Sequence, residues 1–103
     1  MTENRRHPRS QVRLDVELAF PGGSTEKAMT RDLSVGGFFV ELKRHELSSI
    51  GTPLTVTFLS SPHHSEPYTL HARVQRQTPD GIAMTFIDFS LDNLQFIEAL
   101  LLP

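Results

Sequence analysis

The sequence predicts a mainly β fold, about six short antiparallel strands followed by one C-terminal α-helix. Three observations carry this. Apolar and polar residues alternate through most of the chain, the period of a half-buried strand. Clusters of Gly, Pro, Ser and Asp interrupt that alternation at spacings suited to short strands. Apolar positions recur at helical spacing only over residues 91–101.

Val12, Leu14, Val16, Leu18 and Phe20 share one face of the first strand, with Arg13, Asp15 and Glu17 on the other. Pro21-Gly22-Gly23-Ser24 ends it as a turn. A shorter strand over about Lys27 to Arg31 leads into Asp32-Leu33-Ser34-Val35-Gly36-Gly37, after which Phe38, Val40 and Leu42 alternate. Residues 43–52 read as a polar connection with one helical turn near Arg44 to Leu47, closed by Gly51. Leu54, Val56 and Phe58 mark a further strand, and Ser60 to Pro67 is a loop by composition. Tyr68, Leu70, Ala72 and Val74 alternate next, with His71, Arg73 and Gln75 outward. Pro79-Asp80-Gly81 supplies a hairpin turn into Ile82, Met84 and Phe86. Ser90 is placed to cap the helix, and Asp92 falls in the first turn, where negative charge suits the dipole. Leu91, Leu94, Ile97 and Leu101, broadened by Phe96 and Leu100, form the stripe expected to close one end of the fold.

A length of 103 residues and a hydrophobic fraction of 38% suit one compact module. The absence of cysteine removes disulfides, thiol nucleophiles and thiolate metal sites, and is compatible with a reducing cytosol. The longest terminal apolar run, Ala99 to Leu102, is far too short for a signal or a membrane span, so the expected product is soluble, without membrane insertion. His63-His64 invites a metal reading. Adjacent residues of an extended chain point to opposite sides and no third ligand stands nearby, so no metal site is expected.

Charge is unevenly distributed. The formal net charge is -2, yet Arg5, Arg6, Arg9 and Arg13 crowd the first segment against Glu3. That pattern suits a local anion site better than the extended basic stripe of a DNA or RNA binder. A guanidinium pairs bidentately with phosphate, lies on aromatic faces and matches the O6/N7 edge of guanine. Pro8 holds the R-x-x-x-R stretch extended or turned, so Arg5 and Arg9 reach positions up to about 13 Å apart. A solvated basic terminus accounts for the same residues. Asp32 can accept from the N1 and N2 donors of guanine, Ser34 can donate to phosphate or accept from a base amine, and Gly37 lacks a Cβ that would block a flat ligand. A plain turn accounts for these equally. Taken together, the two motifs describe a pocket for a guanine nucleotide with more than one phosphate.

R-x-x-x-R ahead of a small β-rich domain, with D-x-S-x-x-G opening a strand that continues Phe38-Phe39-Val40, resembles the PilZ domain, the bacterial receptor module for cyclic di-GMP. The likeness covers nearly the whole chain, including Gly81 to Phe86 and the helical tail. It implies a small six-stranded antiparallel β-barrel with a C-terminal α-helix. Residues 1–11 would then be an N-terminal ligand-binding arm and residues 12–103 the barrel with its helix. Arg5 and Arg9 would hold phosphates and stack on or pair with guanine. Asp32, Ser34, Gly36 and Gly37 would line the other side of the base, and Arg6 would add positive charge. Ala83 stands where the family often has a second glycine, a change expected to affect packing more than binding. Asn4 stands where some relatives carry a further arginine, which bears on whether one ligand or a stacked pair is held.

The implied function is non-catalytic reception of cyclic di-GMP in a bacterial cytoplasm, with the arm ordering over the ligand to signal to a protein partner. No cofactor is expected, and neither DNA nor RNA. Arg73 and Arg76 are within possible reach of the ligand, though solvent-facing charge is their ordinary role. The alternative keeps the fold as a protein-interaction adaptor with little or no nucleotide binding. A single-stranded nucleic-acid barrel would want exposed aromatic platforms, and a hydrolase would want a base that Asp32 and Ser34 lack.

Overall fold

The computed structural model describes residues 10–42, 49–59 and 66–102. Among them, strands β1 (Asp15–Ala19), β2 (Thr25–Leu33), β3 (Gly37–Glu41), β4 (Pro53–Phe58), β5 (Tyr68–Thr78) and β6 (Gly81–Phe86) precede one helix, α1 (Leu91–Leu100). The order β1-β2-β3-β6-β5-β4 closes through antiparallel pairing of β4 with β1. Among the described strands, closure gives each a hydrogen-bonded neighbour on both sides. The mainly β barrel with a C-terminal helix is therefore the fold.

Alternation decides which residues fill it. Val16 and Leu18, Phe38 and Val40, Leu54, Val56 and Phe58, Leu70, Ala72 and Val74, and Ile82, Met84 and Phe86 all face the interior. Phe38 sits among them with its ring stacked on Phe86 at 5.0 Å and edge-on to Phe58 at 6.1 Å. Such aromatic pairs add to the area term that dominates barrel stability. The first hairpin is a type II arrangement. Gly23 N–H donates to the Phe20 carbonyl at 3.1 Å across Pro21 and Gly22, and Gly22 takes φ of 95°, which a residue with a Cβ rarely adopts. The second hairpin turns on Pro79-Asp80 alone. Gly81 begins β6, where an added Cβ would lie 1.9 Å from the Val40 carbonyl oxygen, so its role is the close approach of β6 to β3. The helical turn expected near Arg44 to Leu47 and the His63-His64 pair lie outside the described residues.

Helix α1 begins where expected. The Ser90 hydroxyl accepts from Asn93 N–H at 3.2 Å, with Asp92 in the first turn. Its buried face differs from the stripe read in the sequence. Asn93, Phe96, Ile97 and Leu100 are buried, whereas Leu91 is 69% exposed. The physical reason is a polar latch that a hydrophobicity pattern does not register. Tyr68 Oη donates to Asn93 Oδ1 at 2.7 Å, Asn93 Nδ2 donates to the Asp88 carbonyl at 3.2 Å, and the Tyr68 ring stacks on Phe96 at 4.1 Å. Phe96 in turn meets Phe58 edge-on at 5.5 Å, seating the helix over one mouth of the barrel.

Burial, and then the charges of Asp92 and Asp88, push the Tyr68 phenol above its ordinary range, so it stays a donor at neutral pH. Stability tied to this group is fully present below the ordinary tyrosine pKa of about 10 and is lost as pH rises through the higher folded-state value. Replacing Tyr68 by Phe is expected to cost about 1–2 kcal/mol, because it leaves a half-buried amide oxygen unsatisfied. That corresponds to a melting temperature lower by roughly 5–10 °C in a thermal denaturation experiment.

Candidate functional site

The site is built where β2 hands over to β3. Ser34 N–H donates to the Gly37 carbonyl at 2.8 Å, closing the turn between the strands. The Ser34 hydroxyl, only 3% exposed, accepts from Gly36 and Gly37 N–H at 3.2 and 3.3 Å and lies 3.3 Å from the Gly37 carbonyl. Gly36 carries the turn onto the next strand, its carbonyl accepting from Phe86 N–H at 3.1 Å. At Gly37 an added Cβ would lie 2.1 Å from the Met84 carbonyl oxygen. Ser34 and Gly37 therefore shape the corner, and the missing Cβ of Gly37 makes room for the backbone of β6.

Two β-bulges then turn charged residues onto one outer wall. In the β2–β3 register Thr30 opposes Val40 and Asp32 opposes Phe39, which leaves Arg31 as the extra residue. In the β5–β6 register Val74 opposes Met84 and Arg76 opposes Ala83, with Gln75 extra. Phe39 and Ala83 oppose each other across β3 and β6. Asp32, Phe39, Ala83 and Arg76 thus form one cross-strand row, with an insertion at each end. Bulges re-aim side chains and sharpen strand curvature. Together with Ser10, Gln11 and Arg31, this row lines an open cavity of about 390 Å³. That volume falls in the range of roughly 300–1,000 Å³ common to small-molecule sites.

The segment ahead of β1 is fixed to the same place. Ser10 and Leu33 exchange backbone hydrogen bonds at 2.9 Å in both directions. Between that bridge and β1 the ladder is replaced by a side chain. The fully buried Thr30 hydroxyl accepts from Leu14 N–H at 2.8 Å and donates to the Val12 carbonyl, while Thr30 N–H donates to the Leu14 carbonyl at 2.9 Å. Hence β1 begins at Asp15 although the alternation starts at Val12, and Val12 and Leu14 pack against the core from the side.

Of the residues singled out in the sequence, Asp32 lines the cavity, Ser34, Gly36 and Gly37 form the adjoining turn, and Arg5, Arg6 and Arg9 lie outside the described residues. Ser10, which follows Arg9, is on the cavity rim. Arg76 lines the wall and Arg73 does not. Arg13 faces away into an exposed pair with Glu41 at 2.8 Å, an interaction of small value in water. Ala83, 3% exposed, lies outside the main core cluster and on the cavity wall. Arg31 and Phe39 were not foreseen as lining residues. No local signal marks them, because Thr25-Glu26-Lys27 on the same strand is as polar as Thr30-Arg31-Asp32 and pairs without a bulge. Among the described residues no group of His, Cys, Asp or Glu is placed to hold a metal, and no helix is long and apolar enough to cross a membrane.

Solved structures share this architecture. The PilZ domain of CeSA from a cellulose synthesizing bacterium is 24% identical, with a TM-score of 0.77 over 90% of this chain and 93% of that one. The PilZ domain of YcgR from Escherichia coli, solved with c-di-GMP, is 13% identical, with a TM-score of 0.78 over 93% of this chain and 87% of that one. MrkH from K. pneumonia, solved as a c-di-GMP complex, is 19% identical with a TM-score of 0.74; the match takes in 98% of this chain and 52% of that one, about half of MrkH. At such identities the likeness establishes the fold. No curated protein sequence matches the chain. The family model described as the PilZ domain matches residues 3–102, so the chain belongs to the PilZ domain family.

Proposed function

We propose that this protein is a non-catalytic receptor for cyclic di-GMP, with residues 1–11 as the ligand-binding arm and residues 12–103 as the barrel that receives the ligand. One observation supports this reading above the others. The Ser10–Leu33 bridge brings the end of the arginine-bearing segment to the rim of the cavity whose wall carries Asp32. Arg5 and Arg9, with Arg6 between them, supply the phosphate and base-stacking contacts, and Asp32 accepts from the N1–H and N2–H of guanine. Ser34, Gly36 and Gly37 hold the corner that sets the position of Asp32. The family match and the two similar structures solved with c-di-GMP favour this over the adaptor reading.

In the mechanism we infer, the arm closes over the bound nucleotide, and several charge-assisted hydrogen bonds offset the entropy of ordering it. The closed arm then presents a new surface to a protein partner. Titration calorimetry with cyclic di-GMP is expected to show saturable binding and no release of linear dinucleotide, with cyclic di-AMP giving at least tenfold weaker binding because adenine lacks the donor edge that Asp32 reads. In parallel, hydrogen exchange over residues 3–11 should slow at saturating ligand. Unchanged exchange with binding intact would reject arm closure, and no saturable heat at all would favour the adaptor.

A further inference from the structure

Phe39 is 3% exposed and yet stands outside the core cluster, on the outward side of β3 between the inward residues Phe38 and Val40. An outward phenylalanine on a barrel wall is ordinarily wet. Here the bulge at Arg31 explains its burial. Because Arg31 and Asp32 together oppose Phe39, both side chains fall on the outer wall, and the Arg31 guanidinium carbon lies over the Phe39 ring, 4.0 Å from its centroid. Both residues line the cavity, with Asp32 beside them and the small Ala83 as the next position in the row.

A guanidinium is weakly hydrated above and below its plane and stacks on aromatic rings on either side. With one side over Phe39, the other is suited to the flat face of a purine, and the neighbouring carboxylate then meets that purine's edge. Ala83 keeps the ground beside the platform low, so a base can slide onto it. We propose that Arg31, held by Phe39, is a base-stacking platform of the site and acts with Asp32 in selecting guanine. This rests on the cyclic di-GMP reading above, and adds to it a contact made by the barrel wall and not by the arm.

The plane of the guanidinium, not its charge alone, is what this role requires. Arg31→Lys keeps the positive charge and the aliphatic stem but loses the plane. Titration calorimetry with cyclic di-GMP on the full chain should therefore show Arg31→Ala and Arg31→Lys each weakened about tenfold or more, as expected for loss of one stacked base. Both variants should retain the wild-type melting temperature to within a few degrees, since Arg31 lies outside the core cluster. Wild-type affinity in Arg31→Lys would reduce the residue to a general attraction for phosphate and overturn the platform. Wild-type affinity in Arg31→Ala would remove it from the site altogether. Either result leaves the receptor assignment standing, whereas absence of binding by the unsubstituted chain overturns both.

Discussion

Asp32→Ala and Arg9→Ala are each expected to weaken cyclic di-GMP binding by about 100-fold while the barrel stays folded. The magnitude follows from the contacts assigned to each side chain. A carboxylate accepting two guanine donors, or a guanidinium forked onto phosphate, makes a pair of charge-assisted hydrogen bonds, together about 3 kcal/mol and hence about two decades in dissociation constant. The fold should tolerate both changes. Asp32 is on the outer wall of β2, outside the core cluster, and Arg9 precedes the alternating apolar positions from which the core is drawn. Calorimetric titration gives the affinities, and circular dichroism with thermal melting gives the fold. Loss of binding confined to Asp32→Ala would mean that the arm is dispensable. Affinity unchanged in both variants would mean that the cavity is not the ligand site.

Gly37→Ala should do the reverse and strike folding first. The added methyl would lie 2.1 Å from the Met84 carbonyl oxygen, 3.1 Å from the Met84 carbonyl carbon and 3.2 Å from the Thr85 Cα. All three are backbone atoms, so no side-chain rotation relieves the overlap, and β3 must move away from β6. That pair holds Phe38 against Met84 and Phe39 against Ala83, one pair in the core and one in the cavity wall. The expected loss is about 3 kcal/mol or more, seen as a fall in melting temperature of roughly 12 °C or greater. Ligand affinity would then drop as a consequence of the displaced wall. A Gly37→Ala chain that melts like the wild type but binds no nucleotide would return the glycine to the role of a direct contact.

The contrast between Asp32 and Gly37 shows what the amino-acid sequence discloses and what it withholds. Both stand in one six-residue motif, and a motif does not distinguish a group that lines a cavity from one that lets two strands approach. The strands themselves were legible because period-two alternation is a direct record of burial, and Val16, Leu18, Val40, Val56 and Met84 all face inward as read. The Pro21-Gly22 turn and the Ser90 cap were legible because each depends on only three or four neighbouring residues. The bulges at Arg31 and Gln75 depend on pairing with β3 and β6, distant in sequence, and so escaped a local reading. The same holds for the helix face, where Leu91 was expected inside and Asn93 took a buried place because Tyr68 waits for it. Alternation with Phe38 and Val40 puts Phe39 on the outward side of β3, and only the insertion at Arg31 reveals what covers its ring there.

Barrel closure has a consequence for how such a chain can change. The ring shuts through residues 16–19 of β1 against residues 55–58 of β4, and Ser10 is bridged to Leu33 at the end of β2. In such a ring a one-residue insertion shifts every rung that follows it, so length changes are absorbed only where a bulge takes them up, as at Arg31 and Gln75. Substitutions at outward positions leave the register intact, so the chemistry of the outer wall is free to vary while the scaffold remains untouched.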